Sequence, residues 1–183
     1  MLRHPVVLAL CASLVLSACG GGGGGQLGPD GKPLPQVYKI SQSDIGRLQL
    51  RMNDSVNALR QARGLMPLQL NANLNASAAT HARDMSVQNR PWHFGSDGSS
   101  PIQRAQRAGY GGQLLGELIS ETFETELETL AAWMEDTDTR AILLQPEARE
   151  MGLGLFQEKN GKIWWTMNTG SGNTGAGAGV PAG

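Results

Sequence analysis

Residues Pro91 to Glu117 read PWHFGSDGSSPIQRAQRAGYGGQLLGE. Pro91 disfavours helix in the residue before it, so any helix upstream ends there. His93 then falls in a loop between Trp92 and Phe94. Ser100-Pro101-Ile102-Gln103 is a helix start. The serine caps, the proline suits the first helical position, and Gln103 can reach back to the cap. Gly109 ends that short helix. Gly111 and Gly112 lead into Leu114-Leu115-Gly116-Glu117-Leu118-Ile119, which reads as a strand. The segment therefore folds back on itself with an imidazole near one end and a carboxylate, Glu117, at the other. No other pair in the chain reads as placed for chemistry.

Outward from this stretch the pattern is helical on both sides. Ile45, Leu48, Met52, Val56 and Leu59 recur at spacings of three and four, the mark of one buried helical stripe. Ser41 or Ser43 can cap that helix, and Gly64 can stop it. A second helix is predicted from Asn73 to about Asn89, with Leu74, Ala78, His81 and Met85 inward. His81 reads there as a buried, hydrogen-bonded core residue. A third long helix is predicted from Thr122 to Asp136, with Phe123, Leu127, Leu130 and Met134 inward. Asp138 is the expected cap of a short helix after it. Met151, Leu153 and Leu155 alternate as in a strand. Asn160-Gly161 signals a tight turn, and Lys162 to Asn168 returns as the partner strand. Trp164 and Trp165 point to opposite faces of that strand, so both are core only if each face is covered. The expectation is an α+β fold, an α-β-α sandwich with a small antiparallel sheet between helical layers.

The chain has 183 residues, 40% of them hydrophobic and 17% charged, with a formal net charge of −1. That suits one folded domain with flexible ends. There is no basic stripe, so nucleic acid is not an expected partner. The two cysteines, Cys11 and Cys19, both lie near the start. The domain beyond them can form no disulfide and no thiolate metal site.

Residues 1–18 read as a signal peptide, with Arg3, an apolar run too short to span a bilayer, and small residues before Cys19. Leu16-Ser17-Ala18-Cys19 resembles a bacterial lipobox. The resemblance implies cleavage before Cys19, acylation of that residue and attachment to a membrane. Gly20, rather than aspartate, follows the cysteine, which favours the outer membrane in a Gram-negative cell. Residues 19–40 carry six consecutive glycines and several prolines, the composition of a mobile tether. Residues 41–170 form the domain, and residues 171–183 read as a disordered tail.

The segments NALRQARGL, LQLNANLNASAATHARDM, WHFGSDGSSPIQRAQRAGY, GEL, AAWMEDTDTRAILLQPEAREMGLGL and IWWTMNTG follow in an order that resembles the CAP superfamily. Its SCP domain is shared by cysteine-rich secretory, antigen 5 and pathogenesis-related proteins. The resemblance implies an α-β-α sandwich and a cleft with two histidines and two acids, which bind a divalent metal in some members. His93 matches the first histidine and Glu117 the glutamate of Gly-Glu-Asn. Asp136 stands three residues after Trp133, where eukaryotic members often place the second acid. The chain departs from the pattern at Leu118, which replaces asparagine. It also departs at Asp138-Thr139-Arg140 and Trp164-Trp165-Thr166-Met167, which lack the family's other histidines. A zinc site needs three protein ligands, and this set offers one imidazole with two carboxylates.

Three functions follow as expectations. The first is a lipid-anchored, extracytoplasmic CAP-domain protein that binds an envelope ligand without catalysis. The second is a metal-dependent hydrolase using His93, Glu117 and Asp136. The third is a sterol or fatty-acid binder. Gly95-Ser96-Asp97-Gly98 is not a strand-turn-helix nucleophile elbow, and Ser100 is explained as a cap.

Overall fold

In a computed structural model, residues 38–172 are described. The signal peptide, Cys19, residues 19–37 of the tether and residues 173–183 of the tail lie outside the described residues. The domain opens with a 3-10 turn, Gln42–Asp44, capped by Ser41. Helix α1 follows at Ile45–Gln61 and buries Leu48, Met52, Val56 and Arg60. Arg60 extends the apolar stripe by one turn, yet it carries a guanidinium with no side-chain partner among the described residues. It donates to four backbone carbonyls instead: Met66 at 2.8 Å, Leu143 at 2.8 Å, Gln145 at 3.0 Å and Ala148 at 3.2 Å. It thereby ties the turn after α1 to the chain around residues 143–148. Gly64 sits in that turn at φ 68°, where a side chain would be strained.

Strand β1, Gln69–Leu70, leads into α2, Ala72–Gln88. Asn71 caps α2 by accepting from the amides of Asn73 and Leu74. The inward positions Leu74, Ala78, His81 and Met85 are all buried. Asn89 ends the helix in the left-handed conformation. Helix α3, Pro101–Arg107, has the full capping box between Ser100 and Gln103. Strand β2 is Leu114–Glu121, α4 is Glu126–Glu135, α5 is Thr137–Leu143, β3 is Glu150–Gln157 and β4 is Ile163–Gly170.

The sheet order is β1-β3-β4-β2. β3 and β4 pair antiparallel, as do β4 and β2, while the two residues of β1 add to β3 in parallel. Every residue of β4 is buried, as expected for a central strand covered on both faces. Trp165 joins the larger core with α1, α4 and α5, and Trp164 joins Ala82 and Met85 of α2 on the opposite face. This is the three-layer sandwich. It closes tightly on the α2 side because β3 alternates Met151, Leu153 and Leu155 with glycine. A Cβ on Gly152 would lie 2.2 Å from the Leu74 carbonyl carbon, and one on Gly154 would lie 2.0 Å from the Ala79 nitrogen. Backbone meets backbone at that seam.

Helix α4 differs from the sequence expectation. It starts at Glu126, because Thr125 and Glu128 form a capping box there. Thr122 has φ 75°, and its amide donates to the Ile163 carbonyl at 3.0 Å. The inward face is Glu126, Thr129, Leu130 and Trp133, while Phe123 and Leu127 are exposed. The bulk of Trp133 sets the rotation, and its indole N–H donates to the Ile119 carbonyl. Glu126 is buried against the Arg51 guanidinium at 2.6 Å. The cap of α5 is Asp136 rather than Asp138.

Candidate functional site

The loop after α2 is fastened at several points before it reaches His93. The Trp92 indole donates to Gln88 one turn back at 2.8 Å, and the Arg90 guanidinium lies 3.8 Å over the Trp92 ring. The Trp92 carbonyl accepts from Nε2 of His81 at 2.9 Å. Further along, Asp84 of α2 accepts from both the amide and the hydroxyl of Ser96, at 2.7 and 2.6 Å. Gly95 and Ser99 close the loop through an amide-to-carbonyl bond of 2.8 Å. The backbone at His93 is thus held by α2 on one side and α3 on the other.

Glu117 is the centre of the cluster. Its side chain is 2% exposed. Oε1 accepts from Nδ1 of His93 at 3.0 Å, and Oε2 accepts from Arg104 at 2.6 Å. Arg104 is itself buried, and its other terminal nitrogen donates to the carbonyls of His93 and Ser99 at 2.9 and 2.8 Å. One guanidinium therefore fixes both ends of the His93–Glu117 pair. Charge-assisted bonds of this kind are short and about twice as strong as neutral ones. Gly116 lets α5 approach, since a Cβ there would meet Ile142 at 2.5 Å.

His81 lies behind the pair, fully buried, with Nε2 3.7 Å from Glu117 Oε1. That distance is too long for a hydrogen bond. Because Nε2 faces a carbonyl, it carries the proton, and Nδ1 is left as a buried acceptor with no partner among the described residues. Burial pushes the His81 pKa down, and the Glu117 charge opposes that only in part.

The front of the cluster is open. The His93 side chain is half exposed and borders a cleft of about 300 Å³ with Pro101, Ile102, Leu114 and Leu115. With Nδ1 protonated toward Glu117, Nε2 presents a lone pair outward. Ser100 is also in the cleft wall, but its hydroxyl accepts from the Gln103 amide as the cap of α3.

Asp136 is not part of this cluster. It is exposed, and its carboxylate accepts from the amides of Asp138 and Thr139 at 3.0 and 2.9 Å. Those bonds, with Thr139 the larger contributor, hold its pKa below the usual carboxylate value. Among the described residues no group of three or more His, Cys, Asp or Glu side chains is placed to hold a metal ion. The metal seen in some CAP proteins does not fit this donor set. Glu117 is already charge-paired with Arg104, His81 is turned to a carbonyl, and Asp136 caps a helix. Arg104, which sequence reasoning missed, is the positive partner of Glu117. Only its spacing from the Ser100 cap hinted at an inward position.

The family profile for CAP, the cysteine-rich secretory protein family, matches residues 54–169. A curated relative, the uncharacterised protein YkwD of Bacillus subtilis, is 30% identical over 122 residues. The match covers 67% of this chain and 47% of the relative, so the chain spans about half its length. Among solved structures, an extracellular SCP-domain protein from Bacillus anthracis superposes with a TM-score of 0.64 at 21% identity. That superposition covers 72% of this chain and 44% of the other. An outer surface protein from Borrelia burgdorferi gives a TM-score of 0.64 at 16% identity, covering 74% of this chain and 98% of its own. With three layers, a His93–Glu117 cleft and a profile match across the domain, the chain belongs to the CAP, or cysteine-rich secretory protein, family.

Proposed function

We propose that this chain is a lipid-anchored, extracytoplasmic CAP-domain protein that works as a binding module and not as a metal-dependent hydrolase. The observation that carries the reading is the burial of Glu117 and its pairing with Arg104. Glu117 keeps lone-pair capacity on each oxygen, but its side chain is 2% exposed and its charge is balanced by the buried Arg104 guanidinium, so a metal ion there would add a second positive charge beside Arg104. What faces the ligand is one imidazole edge in a mostly apolar rim, which suits recognition of a partly apolar ligand bearing a hydrogen-bond donor. Ser100, the hydroxyl in that rim, is occupied as a cap. The anchoring part rests on the Leu16–Cys19 motif and on the extracellular and outer-surface descriptions of the structural neighbours. Fractionation of cells expressing the full chain and its Cys19→Ser variant tests it. The parent should pellet with membranes and the variant should turn soluble. A variant that still pellets contradicts the anchor.

A further inference from the structure

Strand β2 lies at one edge of the sheet, and its outer side pairs with no strand among the described residues. In an antiparallel pair, alternate residues turn both backbone groups toward the partner strand, and the residues between turn theirs away. Two bonds settle which residues of β2 do which. The Thr122 amide donates to the Ile163 carbonyl at 3.0 Å, so Thr122 and its even-numbered neighbours face β4. The Ile119 carbonyl instead accepts from the Trp133 indole at 3.1 Å, off the outer side. Glu117 shares the phase of Ile119, so its N–H and C=O also point out of the sheet. Among the described residues no other segment hydrogen-bonds those two groups or the Ile119 N–H. The opposite edge is treated differently. There Leu153 of β3 donates to the Asn75 side chain at 2.9 Å, and its carbonyl accepts from Gln49 at 2.8 Å. Side chains close that edge as natural sheets commonly require, while the β2 edge stays open at Glu117.

The His93 cleft runs along this open edge. Leu114 to Glu117 form one of its walls. Glu117 is 6% exposed as a residue but only 2% at the side chain, so main chain is what it shows the cleft. A neighbouring hollow of about 310 Å³ shares Ile102 and Leu114 with the cleft and continues to Tyr110 and Gln113. The two together make an elongated groove with apolar walls beside a strand edge. A ligand lying there meets N–H donors and a C=O acceptor at strand spacing, which the backbone of another extended chain matches in kind. We infer that the ligand of the His93 cleft is an extended peptide that adds to the free edge of β2. Its backbone pairs with Glu117 and the Ile119 N–H, and an apolar side chain rests on Ile102 and Leu114. This names the ligand class of the binding module proposed above and rests on that reading.

The test is an NMR titration of the isotope-labelled full chain, in metal-free buffer, with two end-blocked pentapeptides. One alternates threonine with leucine and the other threonine with valine. At least one should shift the Glu117 and Ile119 amides saturably and slow their hydrogen exchange. The same peptides methylated at every backbone nitrogen should bind at least about tenfold more weakly, the worth of two backbone hydrogen bonds. Ile102→Glu, at a half-exposed helical position, should lose the saturable shifts, and distant amides report that the variant stays folded. Three results would each overturn the inference. They are no saturable shift with either peptide, equal binding of the methylated forms, and shifts of the same amides on raising protein concentration alone, which would give the edge to a second copy. The binding-module reading fails separately, through metal held at His93, and stands if only the peptides fail.

Discussion

Arg104 and Glu117 form a buried ion pair at 2.6 Å across the α3–β2 junction, with the arginine 6% and the glutamate 2% exposed at the side chain. Removing one member of such a pair leaves the other charged and uncompensated, at a cost of about 3–5 kcal/mol. Arg104 has a further task, since it also satisfies the carbonyls of His93 and Ser99. The loop that carries the imidazole and the strand that carries the carboxylate are therefore held by one side chain.

Arg104→Met should destabilise the fold by about 3–5 kcal/mol in urea unfolding. Glu117→Leu alone should cost a similar amount. The double variant should cost clearly less than the sum, because no buried charge is left alone. Additive losses would mean that the pair is not energetically coupled.

His81 makes stability depend on pH. Its folded pKa lies below the ordinary value of 6.5, with burial the main cause, Glu117 and Asp84 opposing it and Arg104 reinforcing it. Below that ordinary value the unfolded chain takes up a proton that the folded chain refuses. Stability should then fall as pH drops below about 6.5, by at most about 1.4 kcal/mol per pH unit from this one group. Urea unfolding at about pH 7.5 and about pH 5.5 measures it. His81→Gln should flatten the difference between the two conditions. An unchanged difference in that variant assigns the effect to another group.

The glycines of β3 are a steric prediction. Gly154→Ala places a methyl group 2.0 Å from the α2 backbone, so the helix has to move. Overpacking of this kind costs about 1–3 kcal/mol or more, and the loss should be at the upper end because backbone cannot rotate away. Gly46, in α1, has nothing within 4 Å of its would-be Cβ. Gly46→Ala should stabilise by about 0.5–1 kcal/mol. Thermal unfolding of the two variants should shift in opposite directions.

Much of this fold is written in local signals. The Ser100–Gln103 capping box and the Asn160-Gly161 turn are chemical statements about a few neighbouring residues, and they hold because nothing distant competes. The four-residue rhythm of α1 and α2 is legible for the same reason. Arg60 escaped the pattern because its role depends on carbonyls 83–88 residues away. The spacing also suggested Phe123 and Leu127 as core, but Trp133 and the Thr125 cap decided the rotation of α4. In the site, the histidine-carboxylate pair was readable from the folded-back segment. Arg104 was not, because an arginine on a seven-residue helix looks the same whether it faces water or a buried carboxylate. Asp136 was misplaced because capping and ligating aspartates share one residue type.

The account turns on whether Glu117 is free to act in the cleft. Calorimetric titration of Zn²⁺ into the full chain, followed by elemental analysis after desalting, asks that directly. The prediction is no stoichiometric metal retained, and no difference in metal uptake between the parent and His93→Ala. One equivalent of metal that disappears in His93→Ala would show that the His93 cleft holds a cation beside the Arg104–Glu117 pair, and the metal-free reading of the site would be wrong.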